Sequence, residues 1–179
     1  QIIDKLRGVL AYDVVILYPY NFSQDGFDRP VISGKLHAQH AIRPAKKGDV
    51  VWKRIKEGPD SHFSSDSASD PLLTGPFIER ESIHASGYIR LKIDNQSVGL
   101  LFINKRSNHQ FSKDEQRIIQ EYAERVTQEI RSTSVLQAIV DNLHQAMNFD
   151  IVTLYQYNAV RNELSRPFVA GELQEKYIW

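Results

Sequence analysis

Gly99-Leu-Leu-Phe-Ile-Asn-Lys-Arg106, followed by Phe111-Ser-Lys-Asp-Glu115, is the stretch on which the fold turns. A buried strand ends there in polar residues, and a turn leads to an aromatic residue and a capped helix. Just upstream, Ser86 to Ile93 and Ser97 to Asn104 are alternating or apolar runs joined by Asp94-Asn95-Gln96, which reads as a hairpin. Downstream, Ser112-x-x-Glu115 is a capping box. It opens a helix carrying Ile118, Ile119, Tyr122, Ala123, Val126 and Ile130, and Leu136, Ile139, Val140, Leu143 and Met147 continue the pattern. No Gly or Pro lies between Ser112 and Met147. That predicts one long helix over about 113–147, or two helices broken at Ser132-Thr133-Ser134.

Toward the N-terminus, Ile2, Ile3, Leu6 and Val9 sit at helical spacing. Residues 12–20 read as a strand, Asn21 to Gly26 as a turn, and 29–37 as a second strand with Arg29-Pro30 at its entrance. Asp49 to Glu57 reads as a short helix ended by Gly58-Pro59. Residues 60–76 have loop composition, with five serines, three aspartates, Pro71 and Gly75.

The chain also repeats itself. Residues 1–36 align without a gap onto 138–173, an offset of 137, and thirteen of the 36 pairs are identical. Unrelated sequence of ordinary composition gives roughly two. Ala11 to Asn21 matches Asn148 to Asn158, and Arg29-Pro30, Gly34 and Leu36 recur as Arg166-Pro167, Gly171 and Leu173. A period of this length is that of a domain, so the expectation is a tandem array. One complete unit spans 1–131, a connecting helix 132–147, and an incomplete second unit 148–179. Gln1, at the start of an apolar-periodic run, reads as a cut end. About 30 residues cannot support a core, so 148–179 is expected to dock on the first unit or on another copy in a dimer.

Composition narrows the chemistry. The chain has 179 residues, 41% hydrophobic and 25% charged, with Lys+Arg and Asp+Glu equal at 22 each. A neutral balance leaves no electrostatic footprint for nucleic acid or an anionic membrane. There is no cysteine, which excludes disulfides, thiolate metal sites, cysteine nucleophiles and any thioether-linked cofactor. No apolar run of about 18 residues spans a membrane, and a cytoplasmic protein is expected. G-x-S-x-G, H-E-x-x-H, G-x-x-x-x-G-K-[ST] and G-x-G-x-x-G are all missing. His37-Ala-Gln-His40 follows a strand, where i and i+3 face opposite ways, so it reads as two solvated loop histidines. Asp114-Glu115 lies in the first turn of a helix, where the dipole favours negative charge.

The stretch from Gly99 to Glu115 resembles the closing hairpin and last helix of a GAF domain, commonly "GxLxxxxxxxxxFxxxE". Asp13-Val-Val-Ile-Leu-Tyr18 and Asp150-Ile-Val-Thr-Leu-Tyr155 resemble the family's first strand, twice. The resemblance covers nearly all of 1–131 and reappears at 134–173. It implies an α+β fold: an antiparallel sheet of five or six strands, terminal helices on one face, and a loop-covered ligand pocket on the other. It also implies long terminal helices that pair across a homodimer.

Family members that hold bilins covalently, or reduce free methionine sulfoxide, need cysteines, so neither chemistry is expected. Cyclic-nucleotide-binding members carry Asn-Lys, a spaced Phe, then three residues and Asp-Glu. This chain has Asn104-Lys105, Phe111 and Asp114-Glu115, with two intervening residues. The slip turns the acidic pair by about 100° and puts a Lys105–Asp114 pair in doubt. Side chains in the pocket-facing segments that could read a ligand are Trp52, His62, Phe63, Phe77, Arg80, His84 and Tyr88, with Trp52 and Tyr88 favoured as aromatic walls. The expected function is a non-enzymatic sensor that binds a small molecule and passes the change along the long helix to an output domain. The alternatives are a ligand-free dimerisation module and a cyclic-nucleotide-binding domain.

Overall fold

The computed structural model of the protein describes residues 2–21, 25–37, 45–147, 150–158, 163–164 and 167–171. The chain divides into two compact units, Gln1–Gln128 and Glu129–Trp179. The first holds α1 (Ile2–Val9), β1 (Val14–Asn21), β2 (Gly26–Phe27), β3 (Val31–Gly34), α2 (Val50–Glu57), β4 (Ser61–Ser64), α3 (Pro76–Arg80), β5 (Ala85–Ile93), β6 (Gln96–Lys105) and the start of α4 (Lys113–Met147). The second holds the end of α4, then β7 (Ile151–Leu154), β8 (Tyr157–Asn158), β9 (Glu163–Leu164) and β10 (Phe168–Gly171).

In the first unit six strands form one sheet in the order β2-β1-β6-β5-β4, with β3 also on β1. Every pairing is antiparallel. The β5–β6 hairpin closes at Asp94 and Asn95, with φ of 48° and 66°. Two consecutive positive φ values define the type I′ turn whose twist suits a two-residue hairpin, and Asp and Asn tolerate that region better than other side chains.

Alternation splits the apolar residues between two faces. Val14, Ile16, Tyr18 and Tyr20 of β1 join Tyr88, Leu100, Ile55 and Leu73 on one face. Val15, Leu17, Ile89, Leu91, Leu101 and Ile103 are buried on the other. There α1 buries Ile3 and Leu6 and packs on β1 and β3, with Arg7 Nε donating to Ser33 Oγ at 3.0 Å. The first part of α4 buries Ile119, Ala123 and Val126, the i, i+4, i+7 stripe of an amphipathic helix. The helix is unbroken through Ser132-Thr133-Ser134.

Two features of the first unit depart from the sequence reading. Residues 61–64, expected as loop, are the edge strand β4, with His62 opposite Tyr88 and Phe63 opposite Gly87. Gly87 makes the room: a Cβ there would lie 2.3 Å from Phe63 Cδ1. The capping box is only half made. Glu115 N donates to Ser112 Oγ at 3.2 Å, but the Glu115 carboxylate takes Tyr12 OH at 2.5 Å and His109 Nε2 at 2.8 Å instead.

In the second unit, β7 pairs β10 with Ile151 opposite Gly171 and Leu154 opposite Phe168. The β1–β3 ladder sets Val14 opposite Gly34 and Leu17 opposite Val31, the same register at the same offset of 137. The short pair follows suit: Tyr20–Phe27 and Asn21–Gly26 recur as Tyr157–Leu164 and Asn158–Glu163. Gly34 and Gly171 both have positive φ, 116° and 96°. A Cβ at either would lie 2.1 Å from the carbonyl oxygen of Asp13 or Asp150 respectively. Arg166 and Trp179 lie outside the described residues.

Candidate functional site

Beneath α2, the sheet face opens into a cavity of ≈ 340 Å³, within the range of small-molecule sites. Ile16, Tyr18, Ser86, Phe102 and Asn104 form its floor; Asp49–Val51 at the start of α2 and residues 72–78 form its roof. The floor follows from strand alternation. Tyr88 faces Phe102 and Ser86 faces Asn104 across the hairpin, so all four share the α2 side with Ile16 and Tyr18.

Two buried polar residues tie the floor together. Ser86 Oγ donates to Asn104 Oδ1 at 2.8 Å, and Asn104 Nδ2 donates to the Val14 carbonyl at 3.1 Å. Burial pushes the Tyr18 hydroxyl up to about 12; Arg80 opposes the shift and Asp49 adds to it.

The roof is held at both ends. Arg54 on α2 donates to the carbonyls of Leu72 and Pro71, at 2.9 and 2.8 Å. Asp70 Oδ1 accepts Leu72 N at 2.8 Å, and His62 Nε2 lies 2.7 Å from Asp70 Oδ2. Burial alone would raise the Asp70 carboxyl, but the bonds from His62 and Leu72 N outweigh it and keep it below the usual range. At the far end Glu81, fully buried, accepts Arg106 Nη2 at 2.9 Å and His37 N at 2.7 Å. Arg106 also donates to the carbonyls of Glu81 and Lys35, and its N–H to Asp13 Oδ2.

From Arg106 the chain runs into an aromatic knot at the start of α4. Tyr12, His109 and Phe111 meet with ring centroids 4.9–6.4 Å apart, and Phe63 lies 5.1 Å from Phe111. Burial, and then the Glu115 carboxylate, push the Tyr12 hydroxyl far up.

This architecture has counterparts among solved structures. The GAF domain of a phosphoenolpyruvate-protein phosphotransferase (ptsP) from Coxiella burnetii superposes with a TM-score of 0.63 at 18% identity, over 75% of this chain and 80% of that one. The GAF domain/HD domain protein from Geobacter sulfurreducens gives 0.58 at 16%, over 73% and 87%. The chain has a GAF fold. The type II free methionine-R-sulfoxide reductase from Thermoplasma acidophilum resembles it at 0.56 and 16%, over 72% and 86%. No protein-family model and no curated protein matches the sequence.

Of the seven residues expected at the GAF pocket, Phe77 lines the cavity. Arg80 lies over the Phe77 ring at 6.0 Å and 3.8 Å from Glu81 Oε1. His62 sits behind the roof on Asp70, and Phe63 is in the knot at α4. Trp52 lies under Lys47 and Lys56, each 5.7 Å from its ring. Tyr88 is fully buried, its ring 5.7 Å from Phe102. Among the described residues its hydroxyl has no hydrogen-bond partner. His84 is exposed.

The sequence reading did not put Asp49, Ser86 or Asn104 at the pocket: Asp49 reads as a helix start, and Ser86 and Asn104 as the ends of strand runs. The alternation of the hairpin could have placed Ser86 and Asn104 on the pocket face. Arg54, Glu81 and Arg106 carry no sequence signal, since their partners are main-chain carbonyls or residues distant in sequence. Among the described residues, no helix is long and apolar enough to cross a membrane.

Proposed function

We propose that residues 1–131 are a GAF input domain that binds a small molecule in the cavity under α2 and passes the change into α4. Residues 132–147 are then a connector, and 148–179 open a second GAF domain. The observation that carries the reading is the route out of the cavity. The roof residues 72–78 lead through α3 to Glu81, Glu81 is bonded to Arg106, and Arg106 opens the connection to α4. A ligand that prefers one roof position biases that route by its differential affinity alone. Any catalysis belongs to an output domain, in keeping with the absence of cysteine, and a cytoplasmic setting goes with this role. The recurrence of pairing register at an offset of 137 supports the tandem reading.

The test substitutes a permanent occupant for the ligand. Thr74→Trp places an indole in the roof of the cavity. Hydrogen exchange is expected to change at 70–81 and also in the first turns of α4, about 113–119. A change confined to the roof sinks the relay.

A second reading, dimerisation, is favoured by a different observation. Val135, Ile139, Leu143 and Met147 of α4 are all exposed, and they recur every fourth residue. An exposed apolar ribbon of this kind suits pairing with a second helix. Sedimentation of Ile139→Glu/Leu143→Glu against the parent chain tests it, with a monomer expected only for the variant.

A further inference from the structure

We infer that the cavity selects a small, mainly apolar ligand bearing an amine, and discriminates against phosphates and carboxylates. The inference rests on the cavity being a ligand site, as proposed above. Among the described residues that line the cavity, the one carboxylate is Asp49; none is basic. The remaining walls are Ile16, Tyr18, Phe102, Phe77 and neighbouring aliphatic residues, which take the part of an apolar body that rests on them out of water.

Two helix starts open on the cavity, an arrangement that by itself welcomes an anion. Here both are weakened for that purpose. At the start of α2 the residue is Asp49 itself, which brings a carboxylate to the positive end of the helix; its Oδ2 accepts Lys46 N at 2.7 Å. At the start of α3 the first helical residue is Pro76, which has no N–H to offer. A phosphate in this space would meet apolar walls and a like charge, with no basic side chain in the lining to offset its desolvation. An ammonium would meet the Asp49 carboxylate in a space that the Tyr18 ring also lines, and an aromatic ring of that kind attracts a cation. On the floor, Ser86 Oγ donates to Asn104 Oδ1, so it retains acceptor capacity for a ligand donor. Arg80, the basic side chain that acts on Tyr18, is turned onto the ring of Phe77 and toward Glu81.

The experiment uses three probes with nearly the same body and different charge: phenethylamine, phenethyl alcohol and phenylacetate, with cyclic AMP as a fourth. Dissociation constants are measured by thermal shift and calorimetry on the full chain. Phenethylamine is expected to bind at least fivefold more tightly than phenylacetate. Asp49→Asn keeps an acceptor for Lys46 N. It should weaken the amine about three- to fivefold, the scale of an exposed ion pair, and leave the alcohol within twofold. Thr74→Trp should abolish all binding. If phenylacetate or cyclic AMP binds as tightly as the amine, and Thr74→Trp abolishes it, the charge assignment is overturned while the cavity survives as a ligand site. If no probe binds at millimolar concentration, the ligand-site reading falls and this inference with it.

Discussion

The guanidinium of Arg106 bonds the main chain of Lys35 and Glu81 and the carboxylate of Glu81, while its own N–H donates to Asp13. One residue, through its side chain and its main-chain N–H, thus joins the exit of β3, the segment that follows the cavity roof and the entry to β1. Glu81 is fully buried, so removing its counterion strands a charge in the interior. Arg106→Ala is expected to cost about 3 kcal/mol, the lower end for a broken buried pair, because Arg80 lies 3.8 Å from the other carboxylate oxygen. Glu81→Gln keeps an acceptor for His37 N and should cost less. Urea midpoints of the two variants check the order, and the reverse order would contradict the role given to the pair. A second residue-scale expectation concerns acid. Asp25 is held down to about 2, first by the hydrogen bond from Tyr20, then by Lys56, with Lys47 adding charge. Its folded pKa is depressed, so whatever stability it contributes is present above the ordinary value near 3.9 and fades as pH falls toward 2. A carboxyl NMR titration should find Asp25 low in the parent chain and higher in Lys56→Ala.

Gly34 and Gly171 make the same local arrangement at the ends of β3 and β10, each with positive φ and no room for a Cβ beside the carbonyl of Asp13 or Asp150. Substituting alanine adds the backbone strain of an L-residue at positive φ and a clash with main chain, together more than about 1 kcal/mol. Gly34→Ala is expected to lower the main unfolding midpoint by that much. Gly171→Ala should leave the midpoint of the first unit unchanged and speed exchange in β7 and β10 only. Equal effects on both transitions would argue against treating the two units as separate copies of one element. The β5–β6 hairpin and α4 are legible in the sequence, because alternation and the 3.6-residue period are strong where one face is buried. The edge strand β4 is not. A strand with a single neighbour needs few apolar residues, and Ser61-His-Phe-Ser64 reads as loop. The room left at Gly87, where a Cβ would lie 2.3 Å from Phe63 Cδ1, is what admits it. The cavity was half legible for a related reason. Strand period locates its floor, but its roof is an irregular segment around Thr74-Gly75-Pro76, positioned by Arg54 and Asp70 through main-chain bonds. Main-chain partners leave no trace in side-chain patterning.

On the scale of the whole molecule, the two units bury their matching residues very unequally. Val14 and Tyr18 are 0% and 8% exposed, whereas their counterparts Ile151 and Tyr155 are 43% and 50% exposed. Leu6 is fully buried and Leu143 is 46% exposed. The ladder differs in the same sense. β1 is paired on both sides, by β3 and β6, while β7 is paired by β10 alone among the described residues. Local opening free energies fall where buried apolar contacts are few and backbone hydrogen bonds face water. An open strand edge beside exposed apolar side chains is also a template for another strand. The chain in dilute solution should therefore exchange the amides of Val152 and Thr153 orders of magnitude faster than those of Val15 and Ile16. Raising the protein concentration separates two outcomes. If protection at β7 rises with concentration while β1 is unchanged, a second copy covers the edge and the dimer reading gains its interface. If β7 is as protected as β1 at every concentration, the edge is already covered within one chain, and the expectation of a marginal second unit is wrong.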